Sequence, residues 1–261
     1  MRKEMLTVIA PRALTALPLP AAALFALAAA LPAHADWTGK AEAGYVMARG
    51  NTDTDSANGK FELAMERNQW KHAFAAAGLY GNNNEIKSAE RWEARWQSDY
   101  ALTEKLFTFG ALRYEQDHFS GFDYQESVAV GLGYKFLDTD TVKLSATLGA
   151  GFRRLRPEEL IKDENGVVID RIPGEESDDI TANGGVQYEH QITASTKLID
   201  KLLVESGSDN TFAQNDFAVQ VSMTDVLALA VGYSVRHNTD PPAGLEKTDR
   251  LTTVNLVYNI K

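Results

Sequence analysis

The sequence predicts an all-β fold: a membrane-spanning, antiparallel up-and-down β-barrel of about twelve strands. Three observations predict it. Apolar and polar residues alternate with a period of two along one segment after another, the signature of strands with two unlike faces. The links between those segments are short and long in turn. Aromatic residues gather near both ends of the segments.

The alternation starts after the N-terminal leader. Ala41, Ala43, Tyr45 and Met47 interleave with Lys40, Glu42 and Gly44, and Ala57, Gly59, Phe61, Leu63 and Met65 with Asn58, Lys60, Glu62 and Glu66. Trp92, Ala94, Trp96 and Tyr100 oppose Arg91, Glu93, Arg95, Gln97 and Asp99. Val128 to Phe136 alternates with Ser127, Gly131, Gly133 and Lys135, and Val142 to Phe152 with Lys143, Ser145, Thr147 and Arg153. The same pattern runs through Phe217–Ser222, Leu227–Arg236 and Thr253–Ile260. Weaker segments lie at 70–80, 106–117, 178–190 and 195–205. Most are about twice the length of an ordinary soluble strand and suit a tilted bilayer crossing.

Short links fall at 68–69, 102–105, 137–141, 192–194 and 224–225. Long ones fall at 50–55, 81–87, 116–123, 156–177, 206–211 and 238–247. Turns on one rim and loops on the other is the layout of an outer-membrane barrel. Trp37, Trp70, Tyr100, Phe107, Phe136, Tyr188 and Tyr258 belong to the turn side, and Tyr45, Tyr80, Phe152, Phe212 and Tyr233 to the loop side, as two interfacial girdles. A soluble β-sandwich also alternates, but it would expose a polar face and hide the apolar one. No segment after the leader reaches the ~18 apolar residues of a membrane helix; the longest run is Val226–Tyr233.

Residues 1–35 read as a cleaved secretory signal peptide: basic Arg2, Lys3 and Arg12, an Ala/Leu-rich stretch, and the small-residue site Ala33-His34-Ala35. The barrel domain is then 36–261. The 261-residue chain has no cysteine, which excludes a disulfide framework and an acylated lipoprotein terminus. Its net charge of −10 argues against a nucleic-acid partner, whose phosphates demand clustered Lys and Arg.

The Trp37-Thr38-Gly39 opening, Arg49-Gly50-Asn51-Thr52, Gly131-Leu132-Gly133-Tyr134 and Leu227-Ala228-Leu229 resemble the YdiY-like family of salt-induced outer-membrane proteins of Gram-negative bacteria. The resemblance implies a barrel in the cell outer membrane with a structural or salt-stress role, and it brings no catalytic residues. It also implies contact with outer-membrane lipids and lipopolysaccharide, and with the outer-membrane assembly machinery during biogenesis. One departure concerns that machinery: the chain ends Tyr258-Asn259-Ile260-Lys261, where such barrels usually end on an aromatic.

The polar faces assign Lys40, Glu42, Lys60, Glu62, Arg91, Glu93, Arg95, Asp99, Lys143 and Arg153 to the lumen. Neighbouring strands carry opposite signs, so cross-strand ion pairs are available and the lumen is expected to be occluded or narrow. A small diffusion channel for ions or small solutes is the alternative. The link at 156–177 is acidic and is expected to be a solvated loop, its carboxylates matching no calcium-loop spacing. Arg154 and Arg156 beside it are candidates for lipopolysaccharide phosphates, or simply for balancing that loop. His118-Phe119-Ser120 has the H-x-S spacing of lipid A deacylase barrels, a base and a nucleophile on one face, and gives a hydrolase as a second alternative. No metal-ligand or phosphate-loop motif occurs, so no cofactor is expected, and a monomer is.

Overall fold

In the computed structural model the described residues are 36–48, 54–83, 86–118, 120–164, 168–242 and 245–260. The leader and the Arg49-Gly50-Asn51-Thr52 segment lie outside them.

Thirteen strands form: β1 (Asp36–Ala48), β2 (Thr54–Arg67), β3 (Trp70–Asn83), β4 (Ile86–Ala101), β5 (Leu106–Asp117), β6 (Phe122–Asp138), β7 (Val142–Lys162), β8 (Val168–Pro173), β9 (Ser177–Gln191), β10 (Thr196–Ser206), β11 (Thr211–Ser222), β12 (Leu227–Asn238) and β13 (Thr248–Ile260). Twelve of them make one antiparallel wall in sequence order, with β7 paired to β6 on one side and β9 on the other. The wall closes where β1 meets β13, from Gly39–Ile260 to Ala43–Leu256. A sandwich has two sheets; here a single sheet returns to its own first strand.

The thirteenth strand corrects the expected loop at 156–177. β7 continues past the wall to Lys162, and β8 pairs back onto it from Glu158–Pro173 to Lys162–Val168. The β-branched and apolar run Leu160, Ile161, Val168, Ile169 and Ile172 favours strands. In the sequence this strand signal is obscured by the surrounding carboxylates. On the opposite rim, Asn68 takes a positive φ of 56° to turn β2 into β3 in two residues, a backbone state asparagine tolerates well.

Faces follow from contacts that cross the ring. Lys201 on β10 reaches Glu62 on β2, and Arg236 on β12 reaches Asp117 on β5; neither strand pair is adjacent, so these side chains point inward. By alternation the outer face then carries Val130, Leu132, Leu148, Leu229, Val231, Val254 and Leu256, all exposed. The barrel is therefore apolar outside and polar inside.

Two expected girdle residues face the other way. Phe107 and Phe212 are buried in the interior, at 8% and 0% exposure. On β5 the inward face changes character halfway, from Phe107, Phe109 and Ala111 to Arg113, Glu115 and Asp117. A ring near a strand end therefore does not by itself reveal its side of the wall. Phe107 and Phe109 fill the turn-side interior opposite Gly133 and Gly131, whose missing side chains make the room: a Cβ built on Gly133 would collide with the Phe107 ring. Gly133→Ala is expected to destabilise the refolded barrel by about 1–3 kcal/mol through overpacking. Adding Phe107→Ala should recover part of the loss, read as urea midpoints of the heat-modifiable band.

Candidate functional site

The interior holds two layers of charge. Toward the loop side, β5 presents Arg113, Glu115 and Asp117. From the diametrically opposite strand β12, Arg236 is paired with Glu115 and lies 3.3 Å from Asp117 Oδ2. Arg113 donates to Glu115 at 2.7 Å and to Glu205 on β10 at 3.2 Å, and Ser127 donates to the other Glu205 oxygen at 2.7 Å. Phe212 lies among these groups, with the Arg113 guanidinium 4.4 Å and the Arg236 guanidinium 5.1 Å from its ring centre. Arg153, fully buried, gives its guanidinium to the Asn210 carbonyl at 2.7 Å and the Glu205 carbonyl at 3.3 Å, with Asp179 at 3.5 Å.

The second layer is built from β1, β2, β4, β10 and β11. Lys40 lies 3.0 Å from Glu42 and 3.1 Å from Glu62, and Lys60 and Lys201 approach Glu62 at 3.0 and 2.9 Å. Arg95 holds Glu93 at 2.8 Å and donates at 2.9 Å to Gln214 on β11, the strand diametrically opposite. Gln214 and Ser234 both donate to Asp216. A buried charge is tolerable only when paired and hydrogen-bonded. Here each layer supplies both signs, and its ties cross the interior.

The structure places eight of the ten sequence-selected residues in these layers: Lys40, Glu42, Lys60, Glu62, Arg91, Glu93, Arg95 and Arg153. Arg91 contributes through Asp117, at 3.9 Å. Asp99 sits nearer the turns and accepts from Gln97 at 2.8 Å. Lys143 is exposed at the turn-side rim, level with Asp138 and Glu189. Periodicity missed Arg113, Glu115, Lys201, Glu205, Phe212 and Gln214. The available signal was that Arg113, Glu115 and Asp117 recur every second residue on β5, and Lys197, Lys201 and Glu205 every fourth on β10, each set on one face.

Loops close in above the upper layer. Gly121, at φ 77° between β5 and β6, packs against Pro242 and Leu245 from the β12–β13 link on the opposite side of the ring. Asn210 ties the β10–β11 link to the same segment, donating to Asn238 at 3.1 Å and accepting from Thr239 and the Asp240 amide. A cavity of about 260 Å³ lies between these links, with Arg153, Phe122 and Asp179 among its lining.

His118 and Ser120 are not assembled as base and nucleophile. Ser120 Oγ donates to the Asp117 carbonyl at 3.0 Å, and His118 Nδ1 lies 4.0 Å from Glu158, whose carboxylate is held by Arg171 at 2.8 Å. A serine nucleophile needs its hydroxyl on the base. Arg154 forms a fork on Asp178, at 2.7 and 3.1 Å, and Arg156 donates to the Gly174 carbonyl and faces Asp123 at 3.7 Å. Both guanidiniums thus meet acidic and carbonyl groups of the rim. Among the described residues no group of three or more His, Asp or Glu is placed to hold a metal ion.

Residues 41–260 match a family described as "Protein of unknown function, DUF481". The chain belongs to this family. It is 25% identical over 228 residues to "Uncharacterized protein YdiY" of Escherichia coli K12, covering 85% of this chain and 82% of that protein. Among solved structures it is similar to the NanC porin, at 10% identity and a TM-score of 0.47 over 86% of this chain and 99% of that one. An outer membrane channel from Pseudomonas putida F1 gives 9% identity and a TM-score of 0.48 over 88% and 97%. The KdgM porin gives 8% and 0.42 over 86% and 99%.

Two outcomes follow from the DUF481 chain's geometry. Arg236→Ala strands Glu115 and Asp117 in the interior and is expected to cost about 3–5 kcal/mol in urea unfolding, whereas Arg236→Met with Glu115→Gln and Asp117→Asn, which removes the three charges together, should cost less. Ser120→Ala should leave the acyl pattern of lipids extracted with the barrel unchanged, by mass spectrometry.

Proposed function

We propose that this chain is an outer-membrane β-barrel of the Gram-negative envelope whose interior is closed at rest, serving a structural or envelope-stress role rather than open diffusion. The observation that carries the reading is the set of ties across the ring: Arg236 to Glu115 and Asp117, Arg95 to Gln214, and Lys201 to Glu62. A pore through the axis would have to pass all three.

The membrane setting rests on the inverted polarity of the wall. Exposed Leu, Val and aromatic side chains around the ring suit hydrocarbon, and the ring closes by pairing of β1 with β13 over Gly39–Ala43. Residues 1–35 then serve export.

A second reading, a gated channel for ions or small solutes, is favoured by the composition of the closure. Its crossing ties are polar, and Nε of Arg153 and of Arg236 and Oε1 of Gln125 have no protein hydrogen-bond partner, so that part of the interior suits water.

Single-channel recording in a planar bilayer tests both. The closed-barrel reading expects the native chain to be silent at moderate salt, and Arg113→Ala with Arg236→Ala to give steps. Steady, ion-selective steps from the native chain would overturn it in favour of the channel.

A further inference from the structure

We propose that two copies of this chain associate side by side in the membrane through the outer wall of β9, β10 and β11. Asp200 and Asn215 of one copy would then meet His190 and Tyr188 of the other. The inference rests on the membrane-spanning reading above.

It begins with a carboxylate on the wrong face. Lys201 points inward to Glu62, so Asp200 beside it points outward; Gln214 and Asp216 point inward, so Asn215 between them points outward as well. The two side chains meet on the outer wall, Asn215 Nδ2 donating to Asp200 Oδ1 at 2.7 Å. Asp200 lies mid-strand in β10, between Leu198 and Leu202 and level with Tyr188 and Phe217. The outward carboxylates Asp55, Glu90, Glu126 and Asp178 stand toward the loop-side ends of their strands. An ionisable group at bilayer depth is costly and calls for a partner. Asn215 supplies one hydrogen bond but no charge.

The same sector supplies the complement. Tyr188 OH and His190 Nδ1 are 3.2 Å apart on the outer face of β9. With the tyrosine donating to Nδ1, the imidazole's Nε2 carries the proton and remains as a donor. A neutral donor and an acceptor pair therefore lie beside each other on one wall. A two-fold axis between them would bring His190 of each copy to Asp200 of the other, the self-complementarity an isologous contact requires. Leu148, Ile180, Val186, Leu202 and Phe217, all exposed on the same wall, supply apolar surface for the contact, with the small Ala146, Ala150, Ala182, Gly184 and Ala213 between them.

The cysteine-free sequence makes the test clean. Refolded chains carrying Leu202→Cys on the proposed face, or Phe74→Cys on β3 diametrically opposite, are inserted into phosphatidylcholine vesicles and oxidised. The proposal expects a cross-linked dimer from Leu202→Cys at least tenfold more abundant than from Phe74→Cys, and a shift to monomer by native mass spectrometry in Asp200→Leu with Asn215→Leu. Insertion is read separately from heat-modifiable migration. A chain that does not insert would overturn the membrane reading itself. An inserted chain that stays monomeric, or cross-links equally from both positions, would overturn the dimer alone. Should the double leucine variant not fold, the two single-cysteine chains still decide the question.

Discussion

The antiparallel pairing of β1 with β13, from Gly39–Ile260 to Ala43–Leu256, is the contact on which everything else in the structure depends. Without it the sheet has two free edges, and in hydrocarbon no water exists to serve their N–H and C=O groups. With it, a strip of alternating residues becomes a wall with an inside and an outside. That separation turns the alternation from a pattern into a solvent boundary: Val254 and Leu256 go out, and Asn255 and Val257 go in.

Closure also creates the problem that the interior solves. Residues such as Arg113, Glu115 and Arg236 have lost almost all contact with bulk water. Their adjacent strands cannot satisfy them all, so the ties run to the far side of the ring. Phe212 lies against two guanidiniums there, giving the arginine planes an apolar and electrostatic support that a smaller side chain could not. The ties hold opposite walls together across the interior.

The outer wall follows the opposite rule almost everywhere, and its exceptions are informative. His72 stacks between Trp70 and Trp96 and bonds Ser98, close to the turns, where an amphipathic ring is at home. Asp200 and Asn215 lie mid-strand on the same outer wall, Asp200 level with Tyr188 and Phe217. A single sequence cannot mark them as unusual, because a carboxylate in an alternating strand looks the same on either face until the register is known.

Period-two alternation, link lengths and the leader were enough to determine a barrel of about twelve strands, since those signals are local and each strand carries its own. They also placed Lys40, Glu42, Lys60, Glu62, Glu93 and Arg95 on one face, because the charged face of β1, β2 and β4 is unbroken along the strand. They could not assign Phe107 and Phe212 inward, nor see β8 within an acidic stretch. Nor could they pair Arg236 with Glu115 or Lys201 with Glu62. Those partners are separated by 121 and 139 positions in the chain and by the full width of the ring. Only closure brings them together, because which charge faces which across a barrel depends on the strand count and register of the whole wall rather than on any one segment.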